Sequence, residues 1–226
     1  MVTLGLDIFS LRSQGWTPFE HLDFAAARGV RVVHYSEVRL IGGLDRSHLE
    51  RVRAYANERG IELELGMLSI CPSSGIFDAS QGTVEDQILR MLDAARIVGS
   101  PFVRCVVGTL ADRRAAGGIE RRIADTLAVL SRVRSRVVDA GLKLAIENHA
   151  GDMQARELKH LIEEAGPEWV GACVDAGNAL WAIEDPHLTL DTLAPYVLTS
   201  HTRDSAVWRV PTGTAVTWTR MGEGPC

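Results

Sequence analysis

The chain has 226 residues, 46% of them hydrophobic and 23% charged, enough to bury a sizeable core in a single domain spanning 1–226. A net charge of -5 and a pI near 5.8 give no general attraction for a polyphosphate, so nucleic acid is not an expected partner. No charged leader with an apolar core opens the sequence and no apolar run approaches a bilayer span, so a soluble, cytoplasmic protein with no membrane partner is expected.

Taken in order, the chain repeats one phrase: an amphipathic helix, a glycine, then a short β-branched strand. It recurs around Gly29, Gly60, Gly99, Gly141 and Gly166. Glycine suits the left-handed residue that ends a helix. Thr17-Pro18-Phe19-Glu20 reads as a capping box with proline at the first helical position, and Thr83 with Asp86 as a weaker one. Between such marks Leu22, Ala25 and Ala26, or Ile88, Met91, Leu92 and Ala95, return at helical spacing. Strands are predicted near 3–9, 31–36, 61–67, 101–107, 142–147, 170–175 and 197–201. The four cysteines, Cys71, Cys105, Cys173 and Cys226, have no CxxC or CxH spacing, which fits a reducing compartment without disulfides.

Alternating strands and helices require crossover connections and therefore parallel pairing. Neither GxGxxG nor GxxxxGK[ST] follows a strand, which disfavours a doubly wound nucleotide-binding sheet. Polar residues gather instead at the strand ends: Ser36 and Glu37, Ser69, Arg104, Glu147, Asp175 and His201. That pattern favours an α/β (β/α)₈ TIM barrel, here with seven strands and without its last β/α unit.

The chemistry concentrates between Gly141 and Asn178. Two apolar runs, Leu142–Ile146 and Val170–Val174, each stop abruptly at a carboxylate, Glu147 and Asp175. A carboxylate delivered at the end of a buried strand is costly without a cation or donor, so a metal site is the first hypothesis.

The runs Ile146-Glu147-Asn148-His149, Val174-Asp175-Ala176-Gly177-Asn178, Ser200-His201-Thr202-Arg203-Asp204 and Gly222-Glu223-Gly224 resemble the xylose-isomerase-like TIM-barrel family of sugar phosphate isomerases and epimerases. That resemblance implies one divalent ion, Mn²⁺, Mg²⁺, Co²⁺ or Zn²⁺, held by Glu147, Asp175 and His201. It also implies Glu147 as one of two acid/base carboxylates moving a proton beside the carbonyl of a keto-sugar or related polyhydroxy compound, through an enediolate. The family's fourth ligand, a glutamate after an eighth strand, has no counterpart; Glu223 is the late carboxylate in question and is expected on a loop. An open seven-stranded barrel exposes two edges, so a homo-oligomer or a covering partner is conceivable.

Asn178, His149, Arg203, Arg209, Trp16 and His34 are substrate-binding candidates, with Trp181 and Trp208 as further stacking surfaces. Each has a bland reading: Asn178 as a helix cap, the histidines and tryptophans as core, the arginines as surface in a chain whose lysines are Lys143 and Lys159. Alternatives are an endonuclease IV-like AP endonuclease, disfavoured because Asn178 stands where a histidine ligand is wanted, a metal-dependent lyase with the same enolate chemistry, and a non-catalytic barrel scaffold.

Overall fold

The computed structural model describes residues 3–224, so Cys226 lies outside the described residues. Seven parallel strands run in sequence order: β1 (Gly5–Asp7), β2 (Val32–Tyr35), β3 (Glu62–Ser69), β4 (Phe102–Val106), β5 (Lys143–Glu147), β6 (Val170–Asp175) and β7 (Val197–His201). Helices α1 (Pro18–Ala26), α2 (Arg46–Glu58), α3 (Val84–Val98), α4 (Leu110–Arg114), α5 (Gly118–Asp139), α6 (Ala155–Ala165), α7 (Ala176–Ala179) and α8 (Pro186–Leu193) supply the crossovers. The result is a nearly closed TIM-type barrel. Among the described residues no ladder joins β7 back to β1.

Local chemistry sets the elements. In both expected capping boxes, Thr17 with Glu20 and Thr83 with Asp86, side chain and backbone bond in both directions, so the second is as complete as the first. Gly99 and Gly141 take φ of 81° and 70° after α3 and α5, the left-handed turn that feeds β4 and β5. The first strand is shorter than expected. Asp7 accepts a hydrogen bond from the Phe9 amide and starts a 3₁₀ turn over Ile8–Gln14, which ends β1 at Asp7.

Alternate strand residues face the helices, and Val33, Leu65, Val103, Leu144, Ile146 and Val170 join Leu22, Leu49, Ile88 and Leu130 in one buried layer. The opposite set points inward. At its lower end Phe102, Ala145 and Cys173 pack with Leu198; above them the interior turns polar.

After β7 the chain makes an antiparallel hairpin, β8 (Asp204–Val210) and β9 (Gly213–Thr219), that lies outside the barrel sheet and was not expected. Its base is tied by Asp204, whose carboxylate accepts from the amides of Ser205, Gly222 and Gly224. No helix among the described residues is long and apolar enough to cross a membrane.

Candidate active site

Glu147, Asp175 and His201 are the last residues of β5, β6 and β7, so parallel pairing brings them to one rim. Register sets Glu147 beside Cys173 and Asp175 beside His201. The imidazole Nδ1 of His201 lies 3.1 Å from Glu147 Oε2. Cys173 Sγ is 3.8 Å from the same oxygen, and one ligand atom each from Glu147, Cys173 and His201 fall within 4.8 Å of one another. Asp175 does not join that group. Glu147 and His201 line a cavity of about 370 Å³ whose walls also include Asp7, Glu37, Arg104, His149, Arg203 and Trp218.

Two arginines hold the carboxylates. Arg104, from the middle of β4, reaches Glu147 Oε2 with Nε at 2.7 Å and with a terminal nitrogen at 2.5 Å. Both side chains are buried, and the other terminal nitrogen of Arg104 faces the carbonyls of Ser36 and Met67. Arg203 pairs with Asp175 Oδ2 and lies over the Trp218 ring, 5.0 Å from its centroid. Asn178 donates from its side chain to Glu147 Oε1 at 3.1 Å, and its main-chain N–H donates to Asp175 Oδ1 at 3.0 Å. Asn148 clamps the two strand ends, donating to the Asp175 carbonyl at 2.7 Å and accepting from the Asp175 amide at 2.9 Å.

The electrostatics follow from this packing. Burial raises the Glu147 carboxyl, but the charges of Arg104 and His201 outweigh it and hold the group well below its ordinary value. Burial pushes Asp175 up to about 6 against the pull of Arg203. His201 is opposed by burial, yet its interactions with the Cys173 sulfur and the Glu147 carboxylate carry it well above the ordinary histidine value. Burial lifts the Cys173 thiol to about 11.

On the other side His201 Nε2 lies 3.8 Å from Asp7 Oδ2, which spans the seam between the first and last barrel strands. Asp7 Oδ1 in turn accepts from the Ser36 hydroxyl at 2.8 Å.

The other candidates from sequence divide. Asn178, His149, Arg203 and Trp181 line the cavity. His149 is oriented through Nδ1 and the Gly108 carbonyl at 2.9 Å, and burial lowers its pKa. His34 sits below the rim, bonded to Glu64 at 2.8 Å with its ring against His201. Trp16 packs on Phe24 and His21 instead of entering the cavity. Arg209 and Trp208 are exposed on β8 and are not among the residues lining the cavity. Glu223 is exposed in the turn after β9 and pairs with Arg220 at 3.9 Å.

Sequence reading missed the roles of Arg104, Asp7, Cys173 and Trp218. The signal for Arg104 was available: a lone charge within Phe102–Val106 must find a partner once that strand is buried.

Across residues 22–224 the sequence matches the xylose isomerase-like TIM barrel family. The chain belongs to this family. A curated relative, 3-oxo-isoapionate decarboxylase of Pectobacterium atrosepticum, is 24% identical over 83% of this chain and 61% of the relative. An uncharacterized protein of Escherichia coli, YihM, is 31% identical over 42% of this chain and 30% of its own length. The chain therefore spans about three fifths of the first relative's length and less than a third of the second's.

Among solved structures, the IolI protein with a bound zinc atom superposes with a TM-score of 0.76 at 13% identity, covering 99% of this chain and 81% of that one. A D-psicose 3-epimerase superposes at 0.71 with 16% identity, covering 93% and 78%. These likenesses establish the fold. Among the described residues Glu147, Cys173 and His201 form a group whose ligand atoms could hold a metal ion.

Proposed function

We propose that this chain is a metal-dependent isomerase or epimerase that moves a proton beside the carbonyl of a small polyhydroxy compound. The observation that carries the reading is the 3.1 Å approach of Glu147 Oε2 and His201 Nδ1, with Asp175 on the same rim of the barrel.

The donor set suits a divalent ion. Carboxylate oxygen and imidazole nitrogen are the ligands such ions take, and the nearby Cys173 thiol shifts the preference toward Zn²⁺ or Co²⁺ and away from Mg²⁺. Glu147, His201 and, once released from Arg203, Asp175 would hold the ion, which when bound polarises a carbonyl oxygen.

The chain's own residues do the rest. Glu147 is the carboxylate placed to take the proton; Asn178 on its second oxygen fixes its plane. His149 and Arg203 stand at the cavity wall to orient hydroxyl or carboxylate groups, and Trp181 with Trp218 narrows the mouth.

A second reading, decarboxylation of a keto acid through the same enolate, is favoured by the 24% identity to 3-oxo-isoapionate decarboxylase. Crystals grown with Mn²⁺ test the site: anomalous density between Glu147, Asp175 and His201 supports it, and an ion bound only elsewhere removes it. Incubation of ketoses and keto acids in D₂O with the Mn²⁺-loaded protein then separates the two readings. Deuterium at the carbon beside the carbonyl, with no carbon dioxide released, marks the isomerase; stoichiometric carbon dioxide marks the decarboxylase.

A further inference from the structure

We infer that the hairpin of β8 and β9 is a lid on the cavity mouth, latched by Arg203 and released when an ion takes Asp175; the inference rests on the metal site proposed above. The hairpin has little of its own to hold it against the barrel. Beyond Asp204 and Ser205 its residues are half-buried or exposed, and among the described residues no hydrogen bond or ion pair ties 205–219 to the barrel. A two-stranded ribbon standing by itself is marginal in water. Both of its ends meet at one point: the Asp204 carboxylate gathers the amides of Ser205, Gly222 and Gly224, and a side chain on Gly224 would collide with Asp204 Oδ1. A base this narrow serves as a hinge.

What keeps the hairpin over the mouth is Arg203. Trp218, near the end of β9, lines the cavity although it is 55% exposed, and its ring meets the rim through the Arg203 guanidinium, 5.0 Å from the ring centroid. A cation over an indole face is a favourable contact even where water reaches it. The same guanidinium pairs with Asp175 Oδ2, so Trp218, Arg203 and Asp175 link the lid to the end of β6. Gly177 makes room for the link: a Cβ there would collide with Arg203 Cγ, so the absence of a side chain is what lets Arg203 lie across α7.

The coupling follows from competition for one oxygen. Asp175 Oδ1 accepts the Asn178 amide, which leaves Oδ2 for an ion, and Oδ2 is the atom that Arg203 holds. An ion that binds better when Arg203 has withdrawn shifts the balance toward the unlatched state by that difference in affinity. Trp218 then loses its anchor at the rim, and the mouth opens once the ion is in place.

The test follows Trp218 directly, by ¹⁹F NMR of the full chain carrying 5-fluorotryptophan, with the Trp218 line assigned from Trp218→Phe and Zn²⁺ as the probe. Calorimetric titration with Zn²⁺ alone, on the unsubstituted chain and on Asp175→Asn, comes first. In the metal-free protein Arg203→Met is expected to move the Trp218 line toward the position of a solvent-exposed tryptophan, and saturating Zn²⁺ to move the line of the unsubstituted chain in the same direction.

A Trp218 line that stays in place in Arg203→Met, or that stays in place while Zn²⁺ binds, overturns the latch and leaves the metal site standing. Failure of Zn²⁺ to bind, or binding that Asp175→Asn leaves unchanged, overturns both. Should Arg203→Met not fold, Gly177→Ala, which pushes Arg203 aside without removing it, is read in the same assay and is expected to move the line as well.

Discussion

Arg104 and Glu147 form a buried ion pair beneath the barrel rim, the guanidinium joined at 2.5 and 2.7 Å to a single carboxylate oxygen. Removing Arg104 leaves the buried Glu147 carboxylate, of its cations Arg104 and His201, with His201 alone beside it. Arg104→Met is expected to destabilise the protein by about 3–5 kcal/mol, and the double variant Arg104→Met/Glu147→Gln to recover most of that loss. Denaturant melts of the two variants check it; equal losses in single and double variants would mean that Arg104 contributes by packing and not by charge.

Metal affinity is expected to climb with pH. His201 is carried well above 6.5 by its interactions with Cys173 and Glu147, so at neutral pH it holds a proton that a ligating ion must displace. One displaced proton gives about a tenfold gain in affinity per pH unit until the pKa of His201 is passed, after which the curve flattens. Mn²⁺ titrations between pH 6 and 9 read the slope, and His201→Gln removes it.

Asp152 shapes the cavity wall without facing the ligand. Its carboxylate accepts the main-chain N–H groups of His149 at 2.8 Å, Met153 at 2.5 Å and Gly108 at 3.0 Å, all from a buried position. Asp152→Ala orphans these donors, at about 1–3 kcal/mol each where water cannot enter. Loss of thermal stability, with a fall in ligand affinity as His149 loosens, is the expected pair of effects.

His21 gives the fold an acid limit of its own. It is buried on the inner face of α1 with an unpartnered Nδ1, and burial lowers its pKa below 6.5. The unfolded chain therefore binds this proton at a higher pH than the native one does. The stability associated with neutral His21 is complete above 6.5 and is lost as pH falls through and below that value. Stability curves from pH 8 to 5 should steepen on the acid side, and His21→Phe should flatten them.

Much of this was legible in the residues. Helix, glycine and strand recur with enough regularity to place seven strands; Glu147 and Asp175 stand out because each ends a short apolar run, and His201 by its place at a predicted strand end. Arg104 was noticed as polar but not as a partner, since pairing with Glu147 on the neighbouring strand leaves no trace in spacing. Trp16 misled because an aromatic beside a helix start serves equally to cover a helix, which it does against Phe24. Arg209 misled because the hairpin was overlooked, although Pro211-Thr212-Gly213 between two alternating runs is a turn signal. Contacts made between distant segments, such as Asp7 with His201, could be found only in three dimensions.

Among the described residues each barrel strand pairs with its neighbours in sequence, and at the seam the side chains of Asp7 and His201 approach each other. Such a sheet can unzip from either flank without breaking the middle, as a linear stack does and a closed ring does not. Amide protons should accordingly exchange fastest in Gly5–Asp7 and Val197–His201 and slowest in Phe102–Val106, a gradient that a ligand bridging the two flanks would level. Occupancy of the rim would then be felt by the whole scaffold.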